Sequence, residues 1–270
     1  LCPKSLLFAF HLNNIRTYSS QERSRQHIYL PFLFIDHYFI ISDHYKKELN
    51  RYGYIINKYI SLGFSRSRYN QNRKIDKSFF NLNQNCKGIV SCFGLYPFPD
   101  NKVSGYCESG VSKNSNKKFI EDILNLSKKY KDFYFILRFK QTDFFDEEEF
   151  KYLINDVKKS NNIFCDNNYK KINSYTLAHN SQLIISKWTS IAEEMLSLNK
   201  KVIFYDNEKY ISNYDYFLKN YEYLCTNYDD LINKFEYLIS NNNIDIKNYG
   251  EQYEYDKYYK KIIDYILEKK

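Results

Sequence analysis

Apolar runs alternate with amphipathic stretches along this chain, most clearly between residues 174 and 206. The run from Gln182 to Ser186 is mostly apolar and flanked by polar residues, which is typical of a strand buried on both faces of a parallel sheet. Apolar residues then recur at helical spacing from Ile191 to Leu198, and Val202 to Tyr205 has the pattern of a further strand. The stretch therefore predicts a strand, a turn, a helix and a second strand, which together make one βαβ unit.

The same alternation continues through the second part of the chain. Its regularity over residues 88–268 indicates a doubly wound parallel sheet, the α/β arrangement in which helices cover both faces. The predicted strands are 88–95, 133–139, 161–166, 182–186, 202–205 and 221–225, and the predicted helices are 119–130, 147–157, 172–179, 191–198, 229–240 and 253–268.

The first part of the chain shows a shorter version of the pattern, followed by a polar and basic interval at residues 64–87. Such an interval is typical of a solvated linker. We therefore predict a first domain at 1–70, a linker at 71–87, a second domain at 88–250 and a C-terminal helix at 251–270. In the first domain, the pattern predicts strands at 5–11, 37–41 and 56–62, a helix at 43–52, and a loop or short helix at 12–28.

Composition places the chain among globular proteins. Hydrophobic residues make up 43% of the 270 positions and charged residues 27%, which allows a sizeable core. No run reaches the roughly 18 apolar residues of a transmembrane helix. The six cysteines include no C-x-x-C pair, so we expect free thiols in a reducing cytosol and a cytoplasmic protein.

The net charge of +8 favours anionic partners without selecting one. Lysines occur as scattered, solvated pairs, without the basic arm or base-reading motif of a nucleic-acid binder, so we expect no nucleic-acid partner. The basic helix near the C-terminus leaves two alternatives open, a plain solvated face or peripheral contact with the inner membrane surface.

The turn Ser186–Ser190 is the strongest candidate site. It holds three hydroxyls and one ammonium group between the carboxyl end of a predicted strand and the amino end of a predicted helix. Backbone N–H groups and the helix dipole favour a phosphate at such a place, and Thr189 or Ser190 can donate to phosphate oxygens. In the alternative interpretation, Thr189 only caps the helix.

Other predicted strand ends extend the candidate site, because ligands of doubly wound sheets bind outside the carboxyl ends of the strands. Gly94 follows one strand, while Arg138 and Lys140 place positive charge at the end of another, which suits a phosphate or diphosphate. Glu194 lies five residues beyond Thr189 and has two alternative roles, a ligand for the hydroxyls of a ribose or a solvated helix carboxylate, as we expect for Glu193.

The run LAHNSQLIISKWTSIAEEMLSLNKKVIFYD resembles the donor-binding half of GT-B glycosyltransferases, especially the bacterial transferases of capsule, lipopolysaccharide and other surface carbohydrates. In that family a run of the type D-L-V-I-S-x-x-S-S-x-x-x-E-A-L-x-x-G-K-P-V-I carries phosphate-binding hydroxyls and a ribose-binding glutamate. Here Thr189 and Ser190 match the hydroxyl pair, and Glu194 matches the glutamate. The departures are Gln182 for an acidic residue, Met195 for a small residue, Asn199 for the glycine and Lys201 for the proline.

An earlier run, DHYFIISDHYKKELNRYG…KYISLGFSRSRY, resembles the end of the acceptor-side domain of the same family. Gly63 and Arg66 match its x-x-G-x-P-R pattern, with Ser65 in place of the proline. The resemblance implies a GT-B-like fold of two Rossmann-like domains facing a cleft, with residues 1–70 as the C-terminal part of the acceptor-side domain and 88–250 as the nucleotide-sugar-binding domain. Because the chain begins without Met and at an apolar run, we expect the N-terminal domain to be truncated.

The resemblance implies a glycosyltransferase that moves a sugar from a nucleotide-sugar donor to a glycan or lipid-linked glycan acceptor of a surface polysaccharide. Hexosyl, sialyl and Kdo transfer are not distinguished. GT-B enzymes need no metal and no cofactor besides the donor, because fixed positive groups stabilise the departing phosphate. Gly94, Arg138, Lys140, Ser186, Thr189, Ser190 and Glu194 are the expected nucleotide and phosphate ligands. The catalytic base is not identified, and His11 and Asp36 are its candidates in the first domain.

Three alternatives stay open. A GT-B-fold sugar-nucleotide epimerase would share the hydroxyl turn and the glutamate, but should retain sugar-binding carboxylates and histidines that the sequence does not reveal. A polyol-phosphate transferase of the teichoic-acid type would be expected to carry histidines at strand ends of the second domain, which contains only His179. A noncatalytic carbohydrate- or protein-binding remnant would explain the departures from the family pattern.

Overall fold

The chain forms two compact units. Unit 1 comprises Leu1–Tyr69 together with Lys247–Lys270, and unit 2 comprises Asn70–Ile246. A segment near the C-terminus, predicted as a separate helix, thus belongs to the unit that contains the N-terminus. The computed structural model describes residues 4–21, 34–51, 53–75, 86–97, 112–165, 172–187, 189–209, 221–241 and 255–268.

Helices and strands alternate between residues 88 and 205. A short 3₁₀ turn at Asp143–Asp146 precedes the fourth helix. In chain order the elements are α1 (Lys4–Leu12), β1 (Tyr18–Ser20), β2 (Phe34–Ile40), α2 (His44–Arg51), β3 (Ile55–Ser61), β4 (Gly88–Phe93), α3 (Lys113–Lys129), β5 (Phe133–Arg138), α4 (Glu148–Lys159), β6 (Ile163–Cys165), α5 (Ser174–Asn180), β7 (Leu183–Ser186), α6 (Ser190–Leu196), β8 (Val202–Tyr205), β9 (Leu224–Cys225), α7 (Tyr228–Ser240) and α8 (Tyr255–Glu268).

The described part of unit 1 holds a parallel sheet of three strands in the order β1-β2-β3. One face packs against α2, where Leu49 meets Ile40 and other buried residues of β2. Helix α8 contributes to a second cluster, in which Tyr258 packs with Phe39 and Leu62. The ring of His37 in β2 also accepts or donates a hydrogen bond of 3.0 Å between Nδ1 and the hydroxyl of Tyr265 in α8.

Two predictions for unit 1 are wrong. Residues 5–11 form most of helix α1 rather than a strand. The segment contains no β-branched residue, and a short apolar run of Leu, Phe and Ala fits a helix as well as a strand. Within the stretch 12–28, predicted as a loop or short helix, Tyr18–Ser20 forms strand β1. Three residues are too few to show an alternating pattern.

The described part of unit 2 holds a parallel sheet of six strands in the order β6-β5-β4-β7-β8-β9. Counted from β4, this is the doubly wound order 3-2-1-4-5-6. The prediction of a doubly wound α/β sheet is therefore confirmed. From β4 the chain adds strands towards one side of the sheet, and from β7 it adds them towards the other side. The carboxyl ends of β4 and β7 therefore mark the switch point, where such folds bind ligands.

Helix α3 starts at Lys113, well before the predicted start at residue 119. Its first turns are polar, so they carry no apolar periodicity. Ser112 caps the helix by accepting a hydrogen bond of 3.0 Å from the N–H of Ser115, and Ser115 and Asn116 are buried. The buried polar start of α3 lies among the strand ends described next.

No helix in the described ranges is both long and apolar enough to cross a bilayer.

Candidate functional site

The predicted anion turn lies at the switch point of the unit 2 sheet. Ser186, the last residue of β7, pairs with Phe93, the last residue of β4. The N–H of Lys187 then donates to the carbonyl of Phe93 at 2.9 Å. We call Ser186–Ser190 the hydroxyl turn. Its placement at the crevice follows from the strand order alone.

Two hydroxyl groups of the turn, those of Ser186 and Thr189, are hydrogen-bonded to each other, and the Thr189 hydroxyl does not cap the helix. Ser186 Oγ and Thr189 Oγ1 are 2.6 Å apart, and Ser186 is fully buried while Thr189 and Ser190 are half-buried. Thr189 occupies the N-cap position of α6, but its side chain makes no capping hydrogen bond. The alternative that Thr189 serves only as a side-chain cap therefore does not describe this turn. Because α6 has seven residues, the hydroxyls rather than a long helix dipole carry the case for an anion site.

Glu194 is buried, with 1% of its surface exposed. The hydroxyl of Tyr175 in α5 donates to its Oε2 at 2.8 Å. Glu193 is buried as well, so the solvated carboxylate expected at Glu193 is wrong, and so is the solvated alternative for Glu194. The reason is that α6 is enclosed on all sides, with every residue from Ile191 to Leu196 buried. An enclosed helix does not separate polar and apolar faces as the sequence pattern assumed.

Arg138 and Lys140 are separated by burial. The Arg138 side chain is 1% exposed and donates from Nη1 to the carbonyl of Ile172 at 2.7 Å, whereas Lys140 is exposed. This guanidinium therefore supports the main chain that leads into α5. Its role as a phosphate ligand stays a prediction.

Gly94 allows β4 and β5 to end close together. Its N–H donates to the carbonyl of Arg138 at 2.9 Å. A Cβ at this position would lie 2.0 Å from the ring of Phe139. Gly94 is thus required by packing at the crevice edge, and its contact with a nucleotide stays a prediction.

Lys187 is a site residue that the sequence analysis recognised only as one ammonium group in the turn. Its side chain is 2% exposed and Nζ donates to Ser115 Oγ at the start of α3. Burial lowers the pKa of Lys187 to about 7, although Glu208 and Asp206 act in the opposite direction. A lysine so placed changes its charge near neutral pH.

Further hydrogen bonds fix the start of α3 to the segment after β8. Ser115 Oγ donates to Asn207 Oδ1 at 2.8 Å, and Asn207 Nδ2 donates to the Ser115 carbonyl at 2.9 Å. Ser112 Oγ donates to Glu208 Oε1 at 2.7 Å. These residues lie more than ninety positions apart in the chain. The only local signal for them was the polar run that interrupts the apolar pattern before residue 119.

The two catalytic candidates of unit 1 lie in unexpected positions. His11 is exposed on helix α1, so its expected location at a strand end is wrong. Asp36 lies in the amino-terminal half of β2 and accepts hydrogen bonds of 2.8 Å from Thr17 and from Asn57. Burial alone would raise the pKa of Asp36, but these hydrogen bonds leave it below its ordinary value. Asp36 thus binds Thr17, which precedes β1, and Asn57 in β3 to β2.

Among the residues that the structure describes, no three His, Cys, Asp or Glu side chains are grouped closely enough to hold a metal ion. Cys86, Cys92, Cys165 and Cys225 are free thiols, and burial raises the pKa of Cys165 to about 12. Cys2 and Cys107 lie outside the described residues.

No family model and no curated protein matches the chain. Among solved structures, it is similar to UDP-GlcNAc 2-epimerase from Neisseria meningitidis, bound to UDP-GlcNAc, with a TM-score of 0.61 and 16% identity over 97% of this chain and 72% of that one. It is also similar to UDP-GlcNAc 2-epimerase from Methanocaldococcus jannaschii, with a TM-score of 0.56 and 16% identity over 86% of this chain and 61% of that one. At this identity the likeness concerns the fold, and the two parallel-sheet α/β units are GT-B-like.

Proposed function

We propose that unit 2 binds a nucleotide sugar and that the chain is part of a metal-independent glycosyltransferase of surface-polysaccharide synthesis. The observation that carries the proposal is the joined hydroxyl pair of Ser186 and Thr189 at the switch point of a doubly wound sheet. The buried Glu194 on the following helix supports it. Resemblance of this same run to the donor site of GT-B transferases supplies the class of ligand.

The chemistry follows from the side chains. Hydroxyls of the turn donate to phosphate oxygens, and the Ser186–Thr189 hydrogen bond orients them before the nucleotide arrives. The carboxylate of Glu194, oriented by Tyr175, accepts hydrogen bonds from ribose hydroxyls. Holding both parts of the nucleotide leaves the anomeric carbon of the donor open to a glycan or lipid-linked glycan acceptor in the cytoplasm.

A second candidate is epimerisation of the sugar while it remains on the nucleotide. The two similar structures named above are UDP-GlcNAc 2-epimerases, and nucleotide binding would look the same for both activities. Incubation with UDP-GlcNAc alone, followed by proton NMR, separates them. An epimerase forms the C2 epimer without an acceptor, whereas a transferase leaves the nucleotide sugar unchanged until an acceptor is added.

A thermal-shift titration tests nucleotide binding directly. The chain is titrated with CMP, CDP, UDP and GDP, and a ligand at a hundredfold its dissociation constant adds about 2.7 kcal/mol to the free energy of unfolding. We expect stabilisation by one nucleotide and its loss in T189A/S190A. Ser160→Ala is the matched control, because Ser160 Oγ only donates to the Asp156 carbonyl at the end of α4. No shift with any nucleotide, from a chain that melts cooperatively, would overturn the proposed function.

A further inference from the structure

The conformation of the hydroxyl turn depends on one anchored side chain. Lys187 lies inside the turn, and its main chain is bound to Phe93 at the end of β4. Its side chain runs to Ser115 at the start of α3 instead of into solvent. The turn is therefore held from two sides by a single residue, and it cannot shift without breaking one of these contacts.

The surroundings of the Lys187 ammonium group have opposing effects on its pKa: nearby carboxylates raise it and burial lowers it. Asp206 and Glu208, which follow β8, are the charged groups that raise its pKa, and α3 contributes the neutral hydroxyl of Ser115. Ser112 already donates to Glu208, so this carboxylate is shared. Burial outweighs both carboxylates. Additional negative charge near the turn would shift the balance towards the protonated form.

The other predicted cations do not occupy this position. Arg138 is buried against the Ile172 carbonyl, and Lys140 is exposed at the end of a different strand. A dianion bound by Thr189 and Ser190 therefore has Lys187 as the buried cation within the same turn. Fixed positive charge in a buried setting acts more strongly on a phosphate than exposed charge does.

We propose that Lys187 is the positioning residue of the nucleotide site, fixing the hydroxyl turn against Phe93 and Ser115 and offsetting the charge of the phosphates with its buried ammonium group. The role rests on the nucleotide binding proposed for this turn. It has one thermodynamic consequence. Because phosphate favours the protonated lysine, the protein takes up a proton when the nucleotide binds at a pH where free Lys187 is largely neutral.

Isothermal titration calorimetry at pH 6.5 and 8.5, in Hepes and in Tris, measures affinity and proton uptake together. The titrant is the nucleotide that stabilises the wild-type chain in the thermal-shift titration. The guanidinium of Lys187→Arg stays charged at both pH values. We therefore expect the ratio of wild-type affinity to Lys187→Arg affinity to fall by about tenfold from pH 6.5 to pH 8.5. Wild type should take up part of a proton at pH 8.5, and Lys187→Arg should take up none.

Lys187→Met should bind at least about tenfold more weakly than wild type at pH 6.5, because a charged hydrogen-bonding group is lost. Lys200→Met is the matched control. Burial also lowers the pKa of Lys200. Lys200 precedes β8, however, and donates to the His179 carbonyl at the amino ends of the strands, away from the hydroxyl turn. It should keep wild-type affinity and wild-type proton uptake.

The outcomes separate the two proposals. Absence of nucleotide binding by the wild-type chain overturns the proposed function and this role together. Nucleotide binding with equal proton uptake in wild type and Lys187→Arg overturns the role of Lys187 alone. If Lys187→Met melts early, Lys187→Arg still decides, since a purely structural lysine would give no pH-dependent difference between Lys and Arg.

Discussion

Burial of the Lys187 ammonium group makes the stability of the chain depend on pH in a defined direction. Its pKa of about 7 in the folded chain lies below the ordinary value of 10.5 expected for the unfolded chain. Between these values the unfolded chain binds more protons, so the free energy of unfolding rises with pH, by at most about 1.4 kcal/mol per unit from this residue. The contribution is complete above the unfolded value and is lost as the pH falls towards 7.

Urea denaturation of wild type and Lys187→Met at pH 7, 8 and 9 checks this direction. Methionine does not titrate, so the free energy of unfolding of wild type minus that of the variant should increase with pH. Subtraction removes the titration of all other groups. A difference that stays constant, or that decreases with pH, would show that Lys187 is not the buried ammonium group described.

The Tyr175–Glu194 pair should matter for the nucleoside and not for the phosphates. We expect Glu194→Gln to weaken binding of the nucleoside diphosphate by about tenfold, and Tyr175→Phe to weaken it less, because it removes only one neutral donor. Binding of inorganic pyrophosphate should be unchanged in both. Competition calorimetry measures each affinity.

The Tyr152–Glu121 pair provides a matched control for that experiment. Tyr152 donates to Glu121 at 2.9 Å on the exposed surface between α3 and α4. Glu121→Gln and Tyr152→Phe should leave nucleotide affinity unchanged. Equal losses of pyrophosphate and nucleotide affinity in Glu194→Gln would place this carboxylate near the phosphates and contradict a ribose contact.

At this scale, sequence reveals residues that act within one short run. Thr189, Ser190 and Glu194 could be proposed because a strand, a turn and a helix follow one another there. The partner of Lys187 could not, because Ser115 lies 72 positions earlier and meets it only after the sheet has formed. Arg138 shows another limit of the sequence. Its position at a strand end could be predicted, but not that its side chain would be buried against the Ile172 carbonyl.

Elements were predicted most accurately where their apolar residues follow a period over several turns or lie in a buried strand. Helix α7 at Tyr228–Ser240 and strand β8 at Val202–Tyr205 agree closely with the sequence. The first turns of α3 and the whole of α1 do not, the former because they are polar and the latter because its apolar residues fit either structure. An amphipathic period and a β-branched apolar run were therefore reliable signals in this chain, whereas an apolar run of Leu, Phe and Ala was not.

Two glycines stand at the two ends of β4: Gly88 is its first residue, and Gly94 follows its last residue, Phe93. A Cβ on Gly94 would meet the aromatic ring of Phe139, which packs among Phe119, Phe144 and Phe145. A Cβ on Gly88 would meet the end of the Gln182 side chain at the same distance of 2.0 Å. The ring cannot move without disturbing its neighbours, whereas the glutamine side chain can change rotamer.

We therefore expect Gly94→Ala to lower the free energy of unfolding by about 1–3 kcal/mol and Gly88→Ala to change it by less than about 1 kcal/mol. Urea denaturation monitored by circular dichroism measures both. Phe139→Leu should partly restore the stability of Gly94→Ala by shortening the side chain that clashes. Equal effects of the two alanine substitutions would contradict the packing described at the crevice edge.

For the whole molecule, the assignment of α8 to unit 1 predicts a local effect of its core residue. Tyr258 is 3% exposed and packs with Phe39 and Leu62. Replacing a large buried aromatic residue with alanine costs about 3–5 kcal/mol. In Tyr258→Ala, amide hydrogen exchange should therefore accelerate in β2 and β3, while β4 to β8 keep their protection.

The adjacent Tyr259→Ala is the control, because its side chain is 49% exposed. It should leave the exchange of β2 and β3 within about threefold of wild type, in line with the small cost of surface substitutions. Accelerated exchange throughout unit 2 in Tyr258→Ala, but not in Tyr259→Ala, would show that α8 stabilises more than unit 1.

The return of α8 to the first unit has a consequence for synthesis on the ribosome. Residues of β3 leave the ribosome roughly 190 positions before Tyr255, the first residue of α8. At a synthesis rate of about 5–20 residues per second, Tyr258 is added some ten to forty seconds after Leu62. Unit 2 is complete before then. We expect unit 2 to fold before unit 1 in the cell, and the apolar strand residues of unit 1 to stay exposed to chaperones until α8 has been synthesised.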